Sequence, residues 1–205
     1  MNPLPFDAVL CDLDGVLRHW DPAILGDLEV GYGLATGTLA ATLFHPTRLL
    51  PAITGQVSDA EWRAGIAEDL HDLCGSADRA RTLVEAWSRP VGRVDPDVLA
   101  ILAAARAHVP VVLVTNATTR LEDDLAALGL LDQVDAIVNT ARIGVAKPDS
   151  RVYVHAAAIA GVDVTRCLFV DDQAGNVDAA RVAGMTGLLY AGPPSLRQAL
   201  TPVQL

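Results

Sequence analysis

The sequence predicts an α/β protein: a parallel five-stranded sheet with helices on both faces, interrupted once by an inserted α-helical cap. Three observations lead there. Five short runs are almost continuously apolar, as strands covered on both faces are, rather than alternating apolar with polar. The later runs alternate with stretches of helical period, the pattern of βαβ units with right-handed crossovers. The gap between the first two runs, about 95 residues, is far longer than a crossover needs.

Residues 8–12 form the first strand. The insertion follows as residues 17–93. Its first half, 22–51, is rich in Gly and Thr and reads as one or two helices. In its second half Ser58 and Glu61 have the spacing of a capping box. Trp62, Ile66, Leu70 and Leu73 then form a stripe that Gly75 ends. Leu83, Val84 and Trp87 predict a second helix before Pro90, and all three tryptophans (Trp20, Trp62, Trp87) fall in this insertion. The core resumes at Asp95-Pro96, an N-cap followed by proline at the first helical position, with Val98, Leu102 and Ala105 on one face. Residues 111–115 form the second strand, and Leu121, Leu125 and Leu128 a stripe stopping at Gly129. Residues 136–138 form the third strand, and Val152, Ala156 and Ile159 a stripe stopping at Gly161. Residues 168–171 form the fourth, and Val177, Ala180 and Ala183 a stripe stopping at Gly184. Residues 187–190 form the fifth. The expected division is a core of residues 1–16 and 94–205 carrying a cap of residues 17–93.

Composition narrows the function. The chain is 51% hydrophobic and 20% charged, which excludes a disordered chain. Against 25 acids stand 15 bases, a net charge of −10, and neither nucleic acid nor an anionic membrane suits such a surface. The longest apolar stretch is broken by Arg106, His108 and Pro110, so no membrane span is expected. The N-terminus lacks the basic start and cleavage site of a signal peptide. Cys11, Cys74 and Cys167 are scattered without a CxxC, which suits free thiols in a reducing cytoplasm.

The chemistry sits where the strands end, since open parallel sheets bind ligands beyond their carboxyl edge. The first strand ends in Asp12, Asp14 and Gly15 (DLDGV), the second in Thr115 and Asn116 (VTN). The loop after the third carries Lys147 (AKPD), and the fourth ends in Asp171 and Asp172 (VDD). Lys147 is the single lysine beside 14 arginines. Each signal alone could be a cap, a turn or a surface residue; four strand ends supplying them together point to one site. Carboxylates converging within a few ångströms repel one another and need a cation, and all-oxygen ligation suits Mg²⁺. A cation, a lysine and a hydroxyl beside a carboxylate nucleophile make an arrangement for phosphoryl transfer. Backbone N–H groups around Asn116 can hold phosphate oxygens.

With these motifs the sequence resembles the haloacid dehalogenase-like hydrolase superfamily over nearly its whole length. DLDGV, VTN, AKPD and VDD are similar to its four motifs in order. The insertion after the first resembles the helical cap of the subgroup with type C1 caps, on a Rossmann-like core. The resemblance implies that Asp12 is the nucleophile that forms an aspartyl-phosphate, and that Asp14 is the general acid and then the general base. It implies that Thr115 and Lys147 hold the phosphate, and that Gly15 allows the tight turn. It implies Mg²⁺ on Asp12, on the main-chain carbonyl of Asp14, on Asp172 directly and on Asp171 mostly through water. Asn176 stands where some relatives have another acid and is not expected as a ligand. An acid at position 14 favours a phosphatase over a dehalogenase, because an alkoxide leaving group needs a proton and a halide does not.

The expected activity is hydrolysis of a small phosphorylated metabolite. A phosphomutase of the same fold and an inactive or regulatory phosphate-binding protein are the alternatives; a signalling receiver domain fits poorly, because here an acid pair follows the lysine. Arg18, His19 and Trp20 near the hinge, and His45, Arg48 and Arg63 deeper in the cap, are candidates to touch the substrate. Each is equally well explained as a surface or packing residue. His71, His108 and His155 read as ordinary helix residues.

Overall fold

The computed structural model describes residues 4–201; the outermost positions of the expected core, 1–3 and 202–205, lie outside the described residues. The chain begins with strand β1 (Ala8–Cys11) and, after a tight turn, β2 (Arg18–His19). Six helices follow: α1 (Ala23–Tyr32), α2 (Thr38–Leu43), α3 (Pro46–Ile53), α4 (Asp59–Asp69), α5 (His71–Cys74) and α6 (Ala77–Ser88). Strand β3 (Arg93–Val94) then pairs antiparallel with β2. The remainder alternates: α7 (Pro96–Arg106), β4 (Val111–Thr115), α8 (Leu121–Ala127), β5 (Ala136–Asn139), α9 (Thr140–Ile143), α10 (Ser150–Ala160), β6 (Cys167–Asp171), α11 (Ala174–Val182), β7 (Thr186–Leu189) and α12 (Pro193–Ala199).

The main sheet has the order β5-β4-β1-β6-β7, with every pairing parallel. Both faces are covered, which is why the strands read as unbroken apolar runs. Val9, Cys11, Val111, Leu113, Leu168 and Val170 point to a core filled by α7, α8 and α12. The alternate residues Ala8, Leu10, Val112, Val114, Cys167 and Phe169 point to one filled by α10 and α11. A third core, around Leu43, Trp62, Ile66, Leu70 and Leu83, lies entirely among the helices between β2 and β3. The order reverses beside β1: the chain runs outward through β4 and β5, then returns to β6 and β7. The carboxyl ends of β4, β1 and β6 therefore lie side by side at the switch point. Among the described residues no helix is long and apolar enough to cross a membrane.

Several local expectations need correction. Residues 22–51 hold three helices rather than one or two, because Gly33 and Gly37 take left-handed conformations that end α1 and start α2, and Pro46 opens α3. The stripe from Trp62 to Leu73 is not one helix. The backbone flattens at Leu70 (ψ −4°), α5 starts afresh, and Leu73 is left exposed. Ile159 is likewise exposed, since α10 buries Val152, Tyr153, Ala156 and Ala157 instead. The last strand starts one residue early, at Thr186.

Asp95 opens the return to the core. Its Oδ1 accepts the N–H groups of Asp97 (2.9 Å) and Val98 (3.1 Å), and its Oδ2 meets His19 Nε2 at 3.3 Å. Partial burial works against the charged form. The Val98 and Asp97 N–H groups and His19 outweigh it and hold the carboxyl below its usual range. Asp95→Ala should cost about 1 kcal/mol at neutral pH, the ordinary value of an N-cap. A lowered carboxyl stabilises the fold in full above its unfolded value of 3.8 and loses that contribution as pH falls through the folded value. Urea unfolding of both proteins should therefore show the gap at pH 7 closing in strong acid.

Candidate active site

Asp12 directly follows β1, and its N–H still donates to Val170 of β6 (2.8 Å), so the strand geometry aims it at the carboxyl edge of the sheet. Its Oδ1 accepts the Leu13 N–H at 2.7 Å and meets Lys147 Nζ at 2.9 Å. Lys147 is buried. Its ammonium also meets Asp171 Oδ2 at 2.7 Å and the Val114 carbonyl at 2.9 Å. Those three acceptors use the three protons of an ammonium. Burial opposes the charge on Lys147, but Asp12 and Asp171 outweigh it and raise its pKa.

Asp171 is fully buried and its oxygens are occupied. Lys147 holds Oδ2, the Gln173 N–H donates to Oδ1 at 2.8 Å, and the Asn176 amide spans both at 3.1 Å. Asp172 is only partly covered. Burial, and then Asp171, raise its pKa. Burial likewise pushes Asp12 up to about 7, with Asp171 adding to it and Lys147 opposing. The common cause is burial, to which the crowding of acids adds: oxygens of Asp12, Asp171 and Asp172 lie within 4.8 Å of one another, with one ammonium among them. This set of hard oxygen donors fits a small divalent cation. Gly15 makes room for the Asp172 carboxylate. Its φ is +82°, and a Cβ there would stand 2.2 Å from Asp172 Oδ2.

The structure brings together most, not all, of what the sequence assembled. Asp12, Asp14, Thr115, Asn116, Lys147 and Asp172 line one cavity of about 280 Å³. Three carboxylates converge, however, not four. The Asp14 side chain turns to Arg18, which donates from Nε (2.7 Å) and Nη2 (2.8 Å), and to Trp20 Nε1 (2.7 Å). Asn116 does something the sequence did not disclose. Its side chain accepts the Lys147 N–H (2.8 Å) and donates to the Lys147 carbonyl (3.0 Å), locking the lysine loop to the end of β4. Asn176, set aside as a ligand, orients Asp171; its place one helical turn into α11 was the available signal.

A second cavity of about 370 Å³ meets the first at Asp14 and Asn116 and extends along α1, α3, α4 and α6. Arg18, Trp20 and Arg63 line it. His19, His45 and Arg48 do not: His19 pairs with Asp95, His45 caps α3, and Arg48 pairs with Asp69 at 2.7 Å on the outer surface. Asp59 was not anticipated. It accepts from Thr118 Oγ1 (2.8 Å), and its N–H donates to Thr119 Oγ1 (3.0 Å), which joins α4 to the loop after β4.

A family model described as haloacid dehalogenase-like hydrolase matches residues 6–184. Phosphatase MT3486 of Mycobacterium tuberculosis is 46% identical over 65 residues, 32% of this chain and 30% of that protein. A plasmid-encoded phosphoglycolate phosphatase of Cupriavidus necator is 32% identical over 206 residues, 93% of this chain and 84% of that protein. Among solved structures, a HAD family enzyme of Bacteroides thetaiotaomicron in complex with magnesium and inorganic phosphate superposes with a TM-score of 0.69 at 19% identity, over 88% of this chain and 91% of that one. That likeness supports the fold.

The buried lysine generates a stability prediction. Removing one partner of a buried ionic cluster leaves uncompensated charge and costs about 3–5 kcal/mol. Lys147→Ala should lose stability on that order in urea unfolding with chelator present, although Lys147 sits in a loop outside the regular helices and strands.

Proposed function

This chain belongs to the haloacid dehalogenase-like hydrolases, and we propose that it is a Mg²⁺-dependent phosphatase that cleaves a small phosphate monoester through an aspartyl-phosphate. The observation that carries this reading is the Asp12–Lys147–Asp171 contact at the sheet's switch point, opening on a cavity that Asp14, Thr115 and Asp172 also line.

Asp12, Asp172 and the main-chain carbonyl of Asp14 are the residues we assign to hold the metal, with Asp171 acting through water because its oxygens are already engaged. When bound, Mg²⁺ supplies positive charge that offsets the phosphate and lets an anionic carboxylate approach it. The chain's own groups do the rest. Both side-chain hydrogen bonds of Asp12 fall on Oδ1, which fixes the carboxylate and leaves Asp12 the less engaged of the two buried acids, able to face the metal and attack phosphorus. Lys147 keeps Asp12 oriented and offers its charge to the incoming phosphoryl oxygens, as Thr115 offers its hydroxyl and Asn116 its N–H. As the bond from phosphorus to the leaving oxygen breaks, Asp14 passes that oxygen a proton. Asp14 then takes a proton from water as the water attacks phosphorus, which frees inorganic phosphate and restores Asp12. Arg18 and Trp20 hold Asp14 where the two cavities meet, and to give its proton Asp14 has to carry one and turn from those contacts toward the leaving oxygen.

Asp12→Asn should lower hydrolysis of an aryl phosphate on the order of a thousandfold or more, with the circular dichroism spectrum unchanged, because an amide can neither attack phosphorus nor carry it. Turnover near wild type in that variant would remove Asp12 from its role. Chelation should stop activity and Mg²⁺ restore it, and Mg²⁺ should raise the melting temperature by binding the folded form alone. Lys147→Arg keeps the charge, yet its broad guanidinium cannot reproduce three short contacts from one nitrogen. It should lose most of kcat; a near-normal kcat would show that charge suffices.

A further inference from the structure

We infer that the group released from the phosphate is an uncharged, mainly apolar organic body of about aromatic size, not a short carboxylated one. The inference takes the phosphate end of the substrate from the phosphatase reading above. The other end is read from the larger cavity beyond Asp14.

That cavity, about 370 Å³, suits a small organic group. Its walls are built from Ile24, Phe44, Leu49, Ile53, Trp62 and Trp87. Trp20, which also lines it, and Phe44 remain 42% and 50% exposed, so both rings still have apolar surface to offer. The charged residues of the lining do not offer an anion anywhere to go. Three arginines (Arg18, Arg63, Arg120) face four aspartates (Asp14, Asp21, Asp59, Asp124), so the lining carries no net positive charge. Each arginine is already committed. Arg18 is bidentate on Asp14 and 3.5 Å from Asp124. Arg120 donates to Asp124 (2.7 Å) and to the Ser88 carbonyl (2.7 Å). Arg63 holds Asp59 and Ser88 Oγ. Of the nitrogens on the lining residues, Arg18 Nη1, Arg63 Nε and Trp62 Nε1 are buried and make no hydrogen bond. A carboxylate entering here would lose its water and meet arginines that are each already paired with an aspartate, while an apolar group would meet the surface it needs. The phosphoglycolate in the name of the Cupriavidus relative therefore does not carry over to this chain.

The test compares benzyl phosphate with phosphoglycolate and phosphoserine on the full-length protein at saturating Mg²⁺. The expected result is a kcat/KM for benzyl phosphate at least about a hundredfold above either carboxylated ester, the scale of a mismatch with a polar group left unpaired. Equal or better turnover of a carboxylated ester overturns the inference and leaves the phosphatase reading intact. If no ester is hydrolysed, the phosphatase reading falls, and the cavity is decided separately. Trp20, Trp62 and Trp87 all line it, so their emission reports its occupant without catalysis. Benzyl alcohol should shift that emission saturably, at least tenfold more tightly than glycolate; no response to benzyl alcohol, or glycolate binding as well, overturns the inference. Ile24→Arg adds a cation to the wall and should narrow the ratio of benzyl phosphate to phosphoglycolate turnover at least tenfold, with folding checked by circular dichroism. An unchanged ratio in the folded variant counts against the proposed seat of the leaving group.

Discussion

One buried ammonium holds the edge of the sheet together. Lys147 Nζ takes its three acceptors from three neighbouring strand ends: Asp12 after β1, the Val114 carbonyl within β4, and Asp171 at the end of β6. Those strands are adjacent only because the order reverses beside β1. The lysine therefore depends on the topology, and the carboxylates depend on the lysine, since without it like charges would face one another with Asp12 and Asp171 buried. Asn116 extends the dependence to the main chain by gripping the Lys147 N–H and carbonyl together. An arginine in place of the lysine would spread its donors over three nitrogens, whereas here all three acceptors meet one.

What was legible in the sequence follows from what is periodic or local. Parallel strands share one carboxyl edge, so reading the residue after each apolar run located Asp12, Thr115 and Asp171 in a common place. The Asp95-Pro96 cap is local and could be read directly. The direction of the Asp14 carboxylate could not. It depends on a turn that returns Arg18 beside it, with Asp14 bridging to Arg18 and a left-handed Gly15 between, and no periodicity encodes that. The helices between β2 and β3 were blurred for a related reason. Their breaks come from Gly33, Gly37 and the flattening at Leu70, which only the packing of Leu39, Leu43 and Ile66 into a separate core determines.

The two cavities ask for opposite things. Around Asp12, burial and then the crowding of acids work against negative charge, and Asp12 and Asp172 hold their protons more tightly. Past Asp14 every arginine already has its acid, and the remaining wall is mainly hydrocarbon and aromatic ring. The boundary between them runs through Asn116 and Asp14, whose carboxylate is held by Arg18 and Trp20 from the second side. Any change that moved Arg18 would alter both environments at once. Arg18 is buried, and its guanidinium lies 4.7 Å from the Trp20 ring centre, so it has little freedom to move alone.

The ribbon of β2 and β3 is only two residues on each side, with Arg18 opposite Val94 and His19 opposite Arg93. Through it the chain leaves the sheet and comes back at neighbouring positions. Because the exit and the return are already side by side, a longer segment between them costs little further closure entropy once the ribbon has formed, and adds no strand to the main sheet. The six helices are not held by the ribbon alone, however: Asp59 of α4 is bonded to Thr118 and Thr119, and the Ser88 carbonyl of α6 accepts from Arg120. A replacement that kept the ribbon but lost Asp59 and Ser88 would still be felt in the loop that follows β4.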